Sequence, residues 1–130
     1  MATQADVRRI ALSLPAAEEK PGRFAFAVKD RQGKLKEFVW VWMERVDPKK
    51  ARVPQPKVVA IQVANLNERE ILLRLDTNRF FTEPHYAGYP AILVRLAEIT
   101  ARELRPLITE AWRCRAPEDA KRTKKRIRGK

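Results

Sequence analysis

Apolar residues recur along this chain at two spacings, and the switches between them predict its elements. Val7, Ile10, Ala11 and Leu14 fall at i, i+3, i+4 and i+7, one stripe of a helix from Ala5 to Leu14. Thr3 with Asp6 three residues on caps its start, and Pro15 stops it. The polar joint Glu18-Glu19-Lys20-Pro21-Gly22 leads into a period of two. Phe24, Phe26 and Val28 alternate with Ala25 and Ala27, giving a strand from Arg23 to Lys29. Asp30 to Lys34 reads as a hairpin turn. Leu35 to Met43 is apolar on both faces through Phe38-Val39-Trp40-Val41-Trp42, as a central strand covered on both sides requires.

The pattern then breaks. The stretch 44–57 holds Pro48, Pro54 and Pro56 with Arg45, Lys49, Lys50 and Arg52, and reads as a long loop that cannot continue a central strand. A strand resumes from Lys57 to Ala64, with Val59, Ile61 and Val63 on one face. Asn67, with Glu70 three residues later, is expected to cap a short helix whose buried stripe is Ile71, Leu72 and Leu75. Asp76 to Pro90 is irregular and aromatic, and Ala91 to Ala97 is a final strand. Thr100 and Glu103 make a capping box for a last helix carrying Leu104, Leu107, Ile108, Ala111 and Trp112. Pro106 leaves the Arg102 carbonyl unpaired there and predicts a local distortion. Helix, hairpin, strand, helix, strand, helix is an α+β order with a largely antiparallel sheet packed by helices. Residues 1–115 form one domain around one core, with the basic loop 44–57 between strands. Residues 116–130 are expected to be a basic, flexible, disordered tail.

Charge sharpens this outline. The formal net charge of the 130 residues is +12. From Arg113 to Lys130 the net is +7, so most of the imbalance sits in the last seventh of the chain. A surplus of this kind bears on partners rather than fold. Lys121, Arg122, Lys124, Lys125, Arg126 and Arg128 read as a phosphate-binding arm or as a solubilising charge run. Arg45, Lys49, Lys50 and Arg52 read as a basic ribbon that lies along a groove, or as a plain hairpin extension. No run of 18 apolar residues exists, no secretion signal is evident, and Cys114 is the only cysteine, so a cytoplasmic, membrane-free protein is expected.

The catalytic inventory is thin. Ser13, the single serine, lies on a helix rather than a strand-to-helix elbow. Cys114 and His85 occur once each, too few for a zinc set, and a Cys–His pair is weak as a nucleophile and base. The four glycines are scattered, so no phosphate loop or dinucleotide fingerprint exists. Adjacent Glu18 and Glu19 read as solvated carboxylates before a cation site. No catalytic residue, metal site or cofactor is expected. Within Phe80 to Pro90, His85, Tyr86 and Tyr89 line a ligand pocket or plug the sheet's edge.

Leu14-Pro15-Ala16-Ala17-Glu18-Glu19, Phe80-Phe81, Pro84-His85-Tyr86-Ala87-Gly88-Tyr89-Pro90, Ile92-Leu93-Val94-Arg95-Leu96 and the stretch from Glu103-Leu104 to Glu110-Ala111-Trp112-Arg113 occur in one order. Across about residues 5 to 117 the chain resembles the MmcQ/YjbR family. That resemblance implies a double-wing, frataxin-like α+β fold and small bacterial cytoplasmic proteins commonly labelled DNA-binding. It supplies no catalytic residues. The basic loop and the residues beyond Pro117 are longer than the family's short forms. Together these features lead to an expected non-catalytic, monomeric nucleic-acid-binding protein with low sequence specificity, DNA preferred to RNA. A small-ligand or phosphate-metabolite binder and a protein-interaction adaptor are the alternatives.

Overall fold

The structure, a computed structural model, describes residues 1–118 and residue 120. Six antiparallel strands form one sheet: β1 (Glu18–Glu19), β2 (Ala25–Lys29), β3 (Leu35–Glu44), β4 (Val53–Gln62), β5 (Phe80–Phe81) and β6 (Ala91–Arg95). Their order across it is β1-β2-β3-β4-β6-β5. Helices α1 (Gln4–Leu12), α2 (Leu66–Leu75) and α3 (Ala101–Arg115) complete the α+β fold, with 3-10 turns at Pro84–Tyr86 and Leu96–Glu98.

Because side chains alternate along a strand, each face of the sheet has its own cluster. The first face buries Phe26, Val28, Val39, Val59, Ile61, Ile92 and Val94 against Val7, Ile10 and Ala11 of α1 and Leu104, Ile108, Ala111 and Trp112 of α3. Trp112 Nε1 donates to the Pro15 carbonyl at 3.0 Å, which ties α3 to the end of the first helical segment. The second face carries Ala25, Trp40, Val58, Ala60, Ala91 and Leu93, with Trp42, Phe81, Tyr86 and Tyr89 packed on them. A single core was expected; the sheet, buried on both sides, makes two.

Both capping boxes form as the sequence predicts, Thr3 with Asp6 and Thr100 with Glu103. The central hairpin departs from expectation. β4 starts at Val53, so Pro54 and Pro56 lie in or beside a ladder, with Met43 opposite Pro54 and Trp42 opposite Gln55. They are tolerated because β6 ends with Arg95 opposite Val58, which leaves this part of β4 an edge. A register shift between Val41 and Trp42 absorbs the extra residues before Val58. Glu18 and Glu19 pair with Ala27 and Phe26 as a short edge strand rather than a free joint. β6 stops at Arg95, two residues before the expected end, and turns into a 3-10 segment. Of the tail expected from residue 116, residues 119 and 121–130 lie outside the described residues, and the first described positions are packed. Ala116 is buried and Ala120 packs on the first-face cluster, because small methyl side chains can be covered without forming a periodic stripe.

α2 departs from its predicted stripe, of which Leu72 alone packs, with Leu73, against the first-face cluster. Its cap is Asn65, whose side chain accepts from Glu68 N at 2.9 Å, not Asn67. Ile71 and Leu75 are exposed, and the buried residue of the helix is Arg69. The reason is polar. The Arg69 guanidinium donates to the carbonyls of Tyr86, Ala87 (3.0 Å) and Tyr89 (3.0 Å), three acceptors in a turn with no ladder of its own. This clamp holds the 84–90 segment over the second face.

Three expectations follow. Arg69→Met should cost about 3 kcal/mol in urea unfolding, because three inward carbonyls lose a charged donor. Pro106 sits in an unbroken α3, so Pro106→Ala should stabilise by about 1–3 kcal/mol through the restored bond to Arg102. The Glu103 carboxyl is held below its ordinary value by the Thr100 backbone N–H and hydroxyl, with Arg79 nearby. Stability from that source is present above the ordinary value of 4.5 and is lost as pH falls through the lower, folded value. Glu103→Gln should therefore flatten the acid limb of a melting-temperature profile.

Candidate functional site

The basic side chains divide into those the fold consumes and those it leaves outward. In the β3–β4 loop, Arg45 Nη1 donates to the Pro48 and Lys50 carbonyls at 3.3 and 3.0 Å, closing the loop on itself. Arg52 Nη1 donates to the Met43 carbonyl at 2.9 Å and pairs with Glu83 at 3.2 Å. These two arginines therefore act as framework, while Lys49 and Lys50 stay exposed at the tip. Lys121, Arg122, Lys124, Lys125, Arg126 and Arg128 lie outside the described residues.

A second basic group, absent from the sequence reading, occupies the opposite end of β3. Lys29, Arg31 and Lys34 are exposed around the β2–β3 turn, and Lys36 is half-buried beside them. The acid among them, Asp30, is spent on the backbone: it accepts from Gln32 N at 2.8 Å and Lys34 N at 3.0 Å. Those bonds, the Lys34 one foremost, hold its carboxyl below the ordinary range. Four cations in eight residues around one acid were visible in the sequence, but the stretch read only as a turn. Elsewhere carboxylates pair off with arginine or lysine: Glu19 with Arg8, Glu37 with Lys20 and Arg23, Glu103 with Arg79. Among the described residues, Lys29, Arg31, Lys34 and Lys36 take part in no ion pair.

The last turn of α3 is fastened to this same end. Arg115 Nε donates to the Glu37 carbonyl at 3.2 Å, and its Nη2 donates to Gln62 Oε1 and the Tyr89 hydroxyl, both at 2.8 Å. The last turn of α3 thus lies beside the start of β3. The end of β3 at Glu44, where the basic loop begins, lies roughly 23 Å from Glu37, seven residues of extended strand. The basic β3–β4 loop and the end of α3 therefore lie at opposite ends of β3.

The aromatic segment offers less of a pocket than its composition suggests. His85 is exposed, its ring edge-on to Tyr86 at 5.3 Å. The Tyr86 hydroxyl accepts from Trp40 Nε1 at 3.1 Å, and burial holds its phenol above the ordinary range. The Tyr89 hydroxyl donates to Gln62 Oε1 at 3.3 Å while accepting from Arg115. Both tyrosine hydroxyls are thus engaged within the fold, and the rings stack 6.2 Å apart on the second face. Cys114 is exposed on α3, and His85 is exposed in the segment over the second face, with its ring against Tyr86. Among the described residues, no group of three or more His, Cys, Asp or Glu side chains is placed to hold a metal ion. No described helix is long and apolar enough to cross a membrane.

No family model matches the chain. A crystal structure of the Deinococcus radiodurans protein DR2400, which carries a DUF419 domain, aligns with a TM-score of 0.63 and 18% identity. The alignment covers 86% of this chain and 77% of that one, and identity this low shows the shared fold alone. Nearer in sequence are the uncharacterised proteins Rv2570 of Mycobacterium tuberculosis and Mb2600 of Mycobacterium bovis. Each is 36% identical over 124 residues, covering 91% of this chain and 92% of the relative. With that identity over nearly the whole length of both partners, the chain belongs to the family of these mycobacterial proteins.

Proposed function

We propose that this protein is a non-catalytic nucleic-acid-binding member of the MmcQ/YjbR group, contacting DNA in preference to RNA through phosphates. The observation that carries this reading is the group of exposed cations on the β2–β3 turn, at the end of the sheet where Arg115 fastens α3 to the Glu37 carbonyl. The β2–β3 turn presents Lys29, Arg31 and Lys34 outward with no carboxylate paired to them among the described residues. A phosphate backbone lying across that end meets these cations, and the cations that the sequence carries from Lys121 to Lys130 add to the same attraction. Each phosphate neutralised releases condensed counterions, and none of these groups reads a base edge, so little sequence preference accompanies the binding. Lys49 and Lys50, at the far end of β3, make a separate and smaller contact.

The test is a salt titration of duplex DNA binding by the full chain. Replacing Lys29, Arg31 and Lys34 by alanine should flatten the slope of log K against log salt by about 2.7, near 0.9 for each lost phosphate contact. The Lys49→Ala, Lys50→Ala double variant should flatten it by less. A slope unchanged in the triple variant removes the β2–β3 turn from the interface.

A further inference from the structure

Seven large apolar side chains are exposed among the described residues, and three of them, Leu66, Ile71 and Leu75, lie on the ten residues of α2. The helix is held from its other side by Arg69, so its apolar outer face is a fixed feature of the fold rather than a frayed end. Ile71 is 47% and Leu75 72% exposed, and they stand one helical turn apart as a single ridge. Beside this ridge lies a cavity of about 440 Å³ between α2 and α3, bordered by Ile71, Leu72, Leu107 and Cys114.

The charges on α2 indicate what covers it. Glu70, which lies 3.7 Å from the Arg69 guanidinium and keeps half its side chain exposed, and Arg74, also exposed, stand equally far from Leu72, one on each side. An antiparallel two-fold axis at the level of Leu72 sets Glu70 of each copy against Arg74 of the other, and Ile71 near its own symmetry mate. A self-complementary surface of this kind is the signature of an isologous pair. Ten helical residues span only about 15 Å, too short alone for the roughly 800 Å² per partner of a specific interface. The neighbouring strip of α3, from Leu107 to Cys114, supplies the remainder when the partner's ridge enters the cavity.

We propose that α2 is the centre of a homodimer interface, packed antiparallel on α2 of a second copy of this chain, with Glu70 of each copy paired to Arg74 of the other. The pairing requires no nucleic acid and stands or falls separately from DNA binding.

Sedimentation of the full chain over a concentration series is the direct measurement, with a monomer–dimer equilibrium as the expected result. Ile71→Glu and Leu75→Glu should leave circular dichroism and unfolding unchanged, because both positions are exposed, and should abolish the dimer. Glu70→Arg and Arg74→Glu should each weaken association about tenfold, since every reversal places like charges together twice. An equimolar mixture of those two single variants should regain wild-type association, because each heterodimer restores both cross pairs. A chain that stays monomeric up to millimolar concentration overturns the proposal, whether its own C-terminal residues or another protein then occupies α2. A mixture no tighter than its components overturns it as well.

Discussion

The Arg69 clamp is the contact on which the second half of this molecule depends. The segment from Pro84 to Pro90 is held by isolated turn bonds rather than by a ladder or a full helix, yet it crosses a sheet face that needs cover. A guanidinium presents several donors in a rigid fork, and here it gathers the carbonyls of Tyr86, Ala87 and Tyr89 in one step. With these carbonyls fixed, the Tyr86 and Tyr89 rings lie over Trp40 and the small side chains Ala25, Ala60 and Ala91. The clamp also dictates the orientation of α2. A helix that turns its arginine inward to reach a neighbouring turn must leave Ile71 and Leu75 facing out.

The two faces of the sheet are therefore stabilised by different physics. The first is closed by hydrophobic burial beneath α1 and α3, with Trp112 as its largest fully buried side chain. The second is closed by aromatic rings whose polar tips are tied down by Trp40, Gln62 and Arg115. Arg115 joins the two layers, reaching from the last turn of α3 to the Glu37 carbonyl and across to Tyr89. That same contact places the end of α3 beside the β2–β3 turn. Packing of the core and placement of the surface charge are thus linked through one side chain.

Apart from α2, whose cap is Asn65 rather than Asn67, the elements marked by local chemistry could be read from the pattern of residues. The capping boxes at Thr3 and Thr100, the stripe Val7, Ile10, Ala11 and Leu14, and the two-faced strand around Trp40 all appear where the chain predicts them. The readings that failed needed knowledge of a neighbour. Val53 to Pro56 looked like loop because prolines are excluded from central strands, and it is strand because β6 ends before reaching it. For His85, Tyr86 and Tyr89 the sequence left a pocket lining and a plug on the sheet both open, and only distant partners decide: the tyrosine rings pack on the second face and spend their hydroxyls on residues far away in sequence.

The amino-acid order alone determines the α+β class, the number of major elements, and the size and sign of the charge, because periodicity, capping and composition act over a few residues. The basis of the candidate site was only half legible. Lys49, Lys50 and the C-terminal cations could be listed from the chain, but only the fold sets the loop with the two lysines at the far end of β3 from the last turn of α3. The β2–β3 cations gained meaning only once α3 was seen to end beside them. Tertiary structure made these decisions, together with the outward face of α2, because each depends on which distant carbonyl or strand a side chain meets. A single arginine at position 69 reads on paper as one more surface charge; only the fold supplies the three oxygens that bury it.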